Sequence, residues 1–440
     1  MATKRGNTKI KRTKSPKQGV RLQKKKIVAR TPVKKKAEKP LQKPPQKIGA
    51  SLARSGGKSV PKPSLKVTVK KVMKKEKKSL AKKVSARKRI VRKPRVPVYQ
   101  GPAKARGLER SAINPILKPT QHSWETQATF NPGAVQVNDK VHLIYRAIGT
   151  DDMSVFGYSS SKDGHTIDYR STRPVYYAPA AFELREPGLP RYLSPSGGGY
   201  GGCEDPRLTA IDGKIYLTYT SWNGYEAPRV ALTSISVDDF LRKNWNWGRS
   251  VLISPPGEMH KNWVIFPEKI NGKFALLHSI TPDILIDYFD DLDFDGKTFV
   301  KSRHTAPERK GVWDSRVRGV GPPPMKTKDG WLLIYHAIDD KDPGRYKIGA
   351  MLLDLKDPTK ILYRSSAPIL APDEVYENEG YKSGIIYSCG AAIIEGTLLI
   401  YYGGADTVGC VASADLNTFL SDLKKTSQPR LKKKIIVREA

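Results

Sequence analysis

One carboxylate in this chain stands in a setting that allows close approach. In Gly201-Gly-Cys-Glu-Asp-Pro-Arg207 the glycines leave room for a ligand beside the backbone, and Pro206 biases Asp205 toward an extended conformation. An Asp so placed can give or take a proton, or it can simply cap the turn before a strand. Other polar residues recur at matching places. Arg146, Thr220, Ser279, His336 and Tyr402 each end a short apolar run, and Asn131, Asp205, Pro267 or Glu268, Pro322 or Pro323, and Cys389 each stand just upstream of one. A mixture of Arg, His, Tyr, Asp and Asn, with Trp222, Trp263, Trp313 and Tyr346 nearby, suits carbohydrate, because hydroxyls need paired polar partners and sugar faces stack on aromatic rings. Each of those aromatics is equally a candidate for packing.

The elements that must hold these residues repeat five times. Val141-His-Leu-Ile-Tyr-Arg146, Ile215-Tyr-Leu-Thr-Tyr-Thr220, Phe274-Ala-Leu-Leu-His-Ser279, Trp331-Leu-Leu-Ile-Tyr-His336 and Thr397-Leu-Leu-Ile-Tyr-Tyr402 each follow a turn rich in Gly, Asp or Asn. Upstream of them stand Asn131-Pro-Gly, Glu204-Asp-Pro-Arg, Phe266-Pro-Glu-Lys, Gly321-Pro-Pro-Pro and Ser388-Cys-Gly. Strand, tight turn, strand and a variable remainder, with no helical period between copies, predict an all-β, five-bladed β-propeller with one repeat per blade. Such a fold brings the inner-strand residues of every blade to one central pocket.

Charge divides the chain. Of 79 Lys and Arg among 440 residues, 36 fall within residues 1–100 beside only two acidic residues, so nearly all of the net +37 belongs to that segment. Lys24-Lys-Lys, Lys34-Lys-Lys and Arg87-Lys-Arg89 alternate there with Pro, Ser and Gly. With almost no aromatic side chains the segment cannot bury enough apolar surface to offset its ordering entropy, so residues 1–105 read as a disordered tail. Its composition is similar to linker-histone tails, and it would bind nucleic acid or another polyanion non-specifically. A short helix over 79–90 is the one element expected in it. Residues 106–425 read as the propeller and 426–440 as a short basic segment. No apolar stretch of signal-peptide or membrane-span type is seen, and Cys203, Cys389 and Cys410 lack CxxC spacing, which together suit a cytoplasmic chain without disulfides or structural zinc. His278 and His336 lack a third ligand at a recognisable spacing, so no metal is expected.

From Phe130-Asn-Pro-Gly through Cys203-Glu-Asp-Pro-Arg-Leu, Phe266-Pro-Glu-Lys-Ile, Trp313-Asp-Ser-Arg, Gly319-Val-Gly-Pro-Pro-Pro, Gly349-Ala-Met-Leu-Leu-Asp-Leu and Tyr401-Tyr-Gly-Gly-Ala-Asp406, the chain resembles glycoside hydrolase family 130, the β-mannoside phosphorylases and related mannosidases. The resemblance implies a five-bladed propeller with Asp205 as general acid, its proton reaching the glycosidic oxygen through a sugar hydroxyl. It implies that Asn131, Arg146, Arg207 and Asp406 hold the mannosyl unit, and that Lys261, Arg318, His336 and Tyr346 hold phosphate, the co-substrate; no cofactor is implied. Two departures stand out. Ser279 occupies a position that is Arg in typical phosphorylases, and Val317, between Arg316 and Arg318, stands for a Lys.

The reaction turns on what opposes Asp205. An inverting hydrolase needs a second carboxylate to activate water, whereas an inverting phosphorylase needs cations to hold an already nucleophilic phosphate. Glu268 and Glu377, with Glu379, are the candidate bases. The expected activity is inverting phosphorolysis of β-mannosides to α-mannose 1-phosphate. The alternatives are an inverting β-mannosidase using Glu268 or Glu377, or a non-catalytic glycan-binding propeller tethered by its tail. The linkage and any homo-oligomer are left open by the sequence.

Overall fold

The structure is a computed structural model and describes residues 108–177, 179–184, 197–302 and 311–426. The tail, its expected helix over 79–90 and the basic residues after Thr426 lie outside the described residues.

Five antiparallel units follow one another along the chain in four hydrogen-bonded sheets, the first two units being joined by one parallel pairing of Ser154 with Gly202. From the inside outward the first runs Ala128–Val137, Lys140–Ile148, Ser154–Ser161 and Tyr169–Arg170. The second runs Gly202–Ile211, Lys214–Trp222, Arg229–Ser236 and Val251–Leu252, and the third Val264–Ile265, Phe274–Ile280 and Ile284–Phe289. The fourth comprises Arg316–Val320, Gly330–Asp339, Asp342–Leu353 and Ile361–Arg364. The fifth takes Ile386–Ile394, Thr397–Gly404 and Val408–Asp415 from the end of the domain and its outermost strand, Glu109–Arg110, from the beginning.

The turns expected from Gly, Asp and Asn are present. At Asn138-Asp139, Asp212-Gly213, Asn271-Gly272 and Glu395-Gly396 both central residues have positive φ, the pattern of two-residue hairpin turns whose twist matches that of the strands.

Alternation along each second strand explains why the units close into a ring. Successive side chains point to opposite faces of a strand, so each blade offers one apolar face to each neighbour. Ile144 packs with Leu217 of the second blade while Leu143 packs with Leu399 of the fifth. Tyr216 joins Leu276 of the third blade, Leu277 joins Leu333 of the fourth, and Leu332 joins Ile400 of the fifth. Five cores between five pairs of blades make the arrangement of a five-bladed propeller.

Trp222, Trp263 and Trp313, weighed as sugar platforms or as packing residues, are all engaged in packing or backbone bonds, and two of them serve these cores. Trp263 is buried between the second and third blades with its ring edge-on to His260 and His278. Trp313 stacks on Tyr335 and donates from Nε1 to the carbonyl of Ser365, and Trp222 donates from Nε1 to the carbonyl of Glu226. The flat bulk of Trp263 and Trp313 fills the wedge between diverging blades.

Candidate active site

Three of the upstream phrases are not turns but bulged inner strands, and a fourth bulge falls just before Gly321-Pro-Pro-Pro. Pairing with the second strand shifts between Phe130 and Gly133, Glu204 and Arg207, Val317 and Gly319, and Ser388 and Gly390. A bulge re-aims a side chain out of the ladder. It turns Asn131 and Asp205 toward the axis with φ of 47° and 52°, the left-handed region, and not the extended conformation that Pro206 led us to expect. In the fourth blade the bulged residue is Arg318, not Pro322 or Pro323; in the third, Asn262 takes the equivalent place, not Pro267 or Glu268.

The inner strands meet so closely that glycine is obligatory at the contacts. A Cβ at Gly133 would lie 2.3 Å from the carbonyl oxygen of Pro206, and one at Gly390 would lie 2.5 Å from the nitrogen of Ala134. Over this axis opens a cavity of about 150 Å³ lined by residues of all five blades and their connections, among them Asn131, Asp205, Lys261, Arg318, Tyr346 and Asp406.

Asp205 is 1 % exposed and surrounded by donors. Oδ1 accepts 2.8 Å from Asn131 Nδ2 and lies 3.6 Å from Arg146 Nη1, and Oδ2 lies 3.3 Å from Lys261 Nζ. Burial alone would raise its pKa, but the charges of Lys261, Arg146 and Arg207 and the Asn131 bond outweigh it and hold the carboxyl below the usual carboxylate range. Arg146 is itself fully buried. It donates to Glu204 Oε1 at 3.0 Å, to the Gly198 carbonyl at 2.7 Å and to Ser154 Oγ at 3.0 Å. Asp406 lies across the cavity, where burial pushes its carboxyl up to about 6 despite Lys382 Nζ at 3.8 Å from Oδ2.

Not every expected contact residue reaches the cavity. Arg207 lies beneath its floor, donating to the backbone carbonyls of Asp205 and Gly321 and to Asn262 Oδ1, so it braces the bulge. His336 is fully buried behind Tyr387, its ring stacked at 3.9 Å, and Nε2 accepts from the Ser388 amide. Burial and the Arg207 charge lower His336 to about 3, so it is neutral and cannot serve as a phosphate cation. Cys389, at the fifth bulge, is a thiol pushed up to about 12 by burial. His278 is buried beside Trp263, 3.8 Å from Asp287. Arg318 and Tyr346 are brought together at the cavity, Arg318 Nε donating to Tyr346 Oη at 3.1 Å.

Two of the three candidate bases, Glu268 and Glu377, lie elsewhere. Glu268 forms a half-exposed ion pair with Lys326 on the third blade. Glu377 is fully buried and saturated, accepting from Arg110 Nε and Nη2, Tyr402 Oη and the amides of Asp373 and Glu374. Ser279 bonds the carbonyl of Thr281 and is not among the lining residues.

The profile of glycoside hydrolase family 130, described as beta-1,4-mannooligosaccharide phosphorylase, matches residues 89–425. The chain belongs to that family. It is 39% identical over 322 residues to the 1,2-beta-oligomannan phosphorylase of Thermoanaerobacter sp. (strain X514), an alignment covering 70% of this chain and 97% of that protein. It is 35% identical over 314 residues to the Beta-1,2-mannobiose phosphorylase of the same organism, covering 68% and 94%. The structure of the Beta-1,2-mannobiose phosphorylase from Listeria innocua with beta-1,2-mannobiose superposes with a TM-score of 0.56 at 26% identity, covering 72% of this chain and 99% of that one. The protein is thus an enzyme of the β-mannoside phosphorylase family.

Against the family motifs, the residues that sequence reading missed are Asn262, Tyr387, Lys382 and Gly197, all of which line the cavity. Asn262, at φ 66°, accepts from Arg207 and from Tyr387 Oη and donates to the Arg318 carbonyl, tying three blades together under the site. The Lys261-Asn262 pair preceding the third inner strand was the one signal that could have found it.

Proposed function

We propose that this enzyme carries out inverting phosphorolysis of β-mannosides, releasing α-mannose 1-phosphate. The observation that carries the reading is the charge around Asp205. Arg146, Arg207, Lys261, Arg318 and Lys382 outnumber Glu204, Asp205 and Asp406 in and directly beneath the cavity. An excess of two positive charges complements a phosphate dianion, and a partly desolvated dianion requires such charge-assisted donors. Water attack would instead require a free carboxylate opposite the acid, and Glu268 and Glu377 are both engaged away from the cavity.

In this reading Asn131, Arg146 and Asp406 orient the mannosyl unit, and Lys261, Arg318 and Tyr346 receive phosphate. The charges of Lys261, Arg146 and Arg207 favour the ionised form of Asp205. Phosphate beside Lys261 would offset the field that depresses Asp205, so that the acid takes up its proton as the nucleophile arrives. A phosphate oxygen then bonds the anomeric carbon as the glycosidic C–O bond breaks. The proton of Asp205 passes, through a sugar hydroxyl, to the leaving oxygen, and the carboxylate returns to Lys261 and Arg146.

Among linkages we favour β-1,2. The support is the greater likeness to the two Thermoanaerobacter enzymes than to the Beta-1,4-mannooligosaccharide phosphorylase of Ruminococcus albus, which is 27% identical over 337 residues. The basic N-terminal segment would add a salt-sensitive attachment to nucleic acid or another polyanion. Three buried free thiols fit a reducing, cytoplasmic setting.

The test is proton NMR of products from β-1,2- and β-1,4-mannobiose with and without phosphate. Phosphate-dependent α-mannose 1-phosphate from the β-1,2 disaccharide is expected. Free mannose released equally without phosphate would overturn phosphorolysis, and a preference for the β-1,4 disaccharide would overturn the linkage.

A further inference from the structure

The loop from Gly380 to Ile385 is a part of the cavity wall that no motif explains. It spans the site. At one end Tyr346 donates its backbone N–H to the carbonyl of Gly384, joining the loop to the strand that carries the Arg318 partner. At the other, Lys382 donates its backbone N–H to the carbonyl of Ala405 and Tyr381 donates to Thr407 Oγ1, joining it to the turn that carries Asp406. Gly380 is required there, because a Cβ would lie 2.6 Å from Thr407 Oγ1 and 2.8 Å from the Ala405 carbonyl oxygen.

The side chain this loop delivers is Lys382, about one-third exposed and lining the cavity, with Nζ 3.8 Å from Asp406 Oδ2. Burial, Lys261 and Arg146 all disfavour its charge, against the pull of Asp406. A third cation is thus held, at electrostatic cost, in a half-buried cavity that already contains Lys261 and Arg318. Like charges converge in this way where an anion is to be shared among them.

We propose that Lys382 is a phosphate-binding residue, supplying from the fifth-blade loop the positive charge that Ser279 and Val317 do not supply from the third and fourth blades. The buried Glu377 has a part in this: it is the strut of the loop, its carbonyl accepting from the Gly384 amide while its carboxylate is clamped by Arg110 and Tyr402. The proposal rests on the phosphorylase reading and assigns a residue to it.

The experiment is calorimetric titration of inorganic phosphate into the full-length protein and into its Lys382→Met and Lys382→Arg variants, paired with steady-state kinetics on β-1,2-mannobiose. Losing one charge-assisted hydrogen bond should raise the phosphate Kd and KM roughly tenfold to a hundredfold in Lys382→Met. Lys382→Arg should restore most of the affinity, and in Lys382→Met the phosphate KM should rise several-fold more than the mannobiose KM, because mannobiose binding loses only the counter-charge of Asp406. An unchanged phosphate Kd in Lys382→Met, or a loss confined to mannobiose KM, would overturn the assignment and reduce Lys382 to a counter-charge for Asp406. Wild-type protein that binds no phosphate would overturn the phosphorylase reading itself, and this proposal with it.

Discussion

Asp205 combines two properties that a proton donor seldom shows together: it is buried, and neighbouring cations hold its carboxyl below the usual range. In the proposed mechanism bound phosphate offsets those cations and lets the carboxyl hold a proton. Replacing it with Asn keeps the Asn131 neighbourhood filled but removes the transferable proton. We expect kcat for mannobiose to fall about a thousandfold, within the usual range for general acid catalysis, and expect substrates with good leaving groups to lose far less. Parallel assays on mannobiose and an aryl β-mannoside would check this. His336 gives a second prediction with the opposite kind of group. In the folded chain it titrates near 3, below its ordinary 6.5, so between those values only the unfolded chain binds the proton. The stability its neutral form contributes is complete above pH 6.5 and is lost as pH falls toward 3. Going from pH 7 to pH 5 should remove about 2 kcal/mol, at 1.36 kcal/mol per unit below 6.5. Urea unfolding of wild type and His336→Gln at both pH values would show the gap between them shrinking by that amount.

At the scale of strands, the site depends on bulges, and the bulges depend on glycines that face a neighbouring blade. Gly133 sits 2.3 Å, at Cβ, from the carbonyl oxygen of Pro206, the residue after the acid. Gly133→Ala must push two inner strands apart. It should cost at least about 1–3 kcal/mol, as overpacking does, and should also lower kcat because the displaced strand carries Asp205. Thermal melting together with kinetics would test both, and an unchanged kcat in a destabilised variant would separate the bulge from the chemistry. This dependence also explains what the sequence could and could not reveal. The five hairpins were legible because strand alternation and two-residue turns are local properties of a few residues. Asp205, Asn131 and Arg146 were legible through motif and turn context. The inner-strand position of the fourth repeat was read as Pro322 or Pro323, and Arg318 was named only through the family resemblance, because a bulge position is decided by the blade alongside, not by the blade's own letters. Trp263 and Trp313 kept two readings open for a related reason, since a ring wedged between blades and a ring under a sugar have the same composition. Tyr387 and Lys382 were missed because their partners, His336 and Asp406, belong to other parts of the chain.

At the scale of the whole molecule, family likeness and charge divide the chain at nearly the same place. The family match begins at Arg89, after the region that holds almost all the excess positive charge. Catalysis and polyanion attachment should therefore be separable. Deleting residues 1–88 should leave kcat/KM for mannobiose unchanged and abolish retention on heparin at low salt. Full retention by the shortened protein would refute the separation, and a fall in turnover would show that the segment takes part in the reaction.

The ring is closed by Glu109–Arg110 pairing with Val408–Asp415, and Arg110 reaches Glu377 across 267 residues of sequence. That latch has a kinetic meaning. The strand that completes the fifth blade is made early in synthesis but finds its partner only after nearly the whole domain has been made. Pairings so distant in sequence are slow, because loop closure must precede any gain from contact. The strut under the Lys382 loop is among these late contacts. On refolding, the β signal should therefore return before activity does, and the interval between them would measure how long the nascent enzyme waits, open-ringed, for its own beginning.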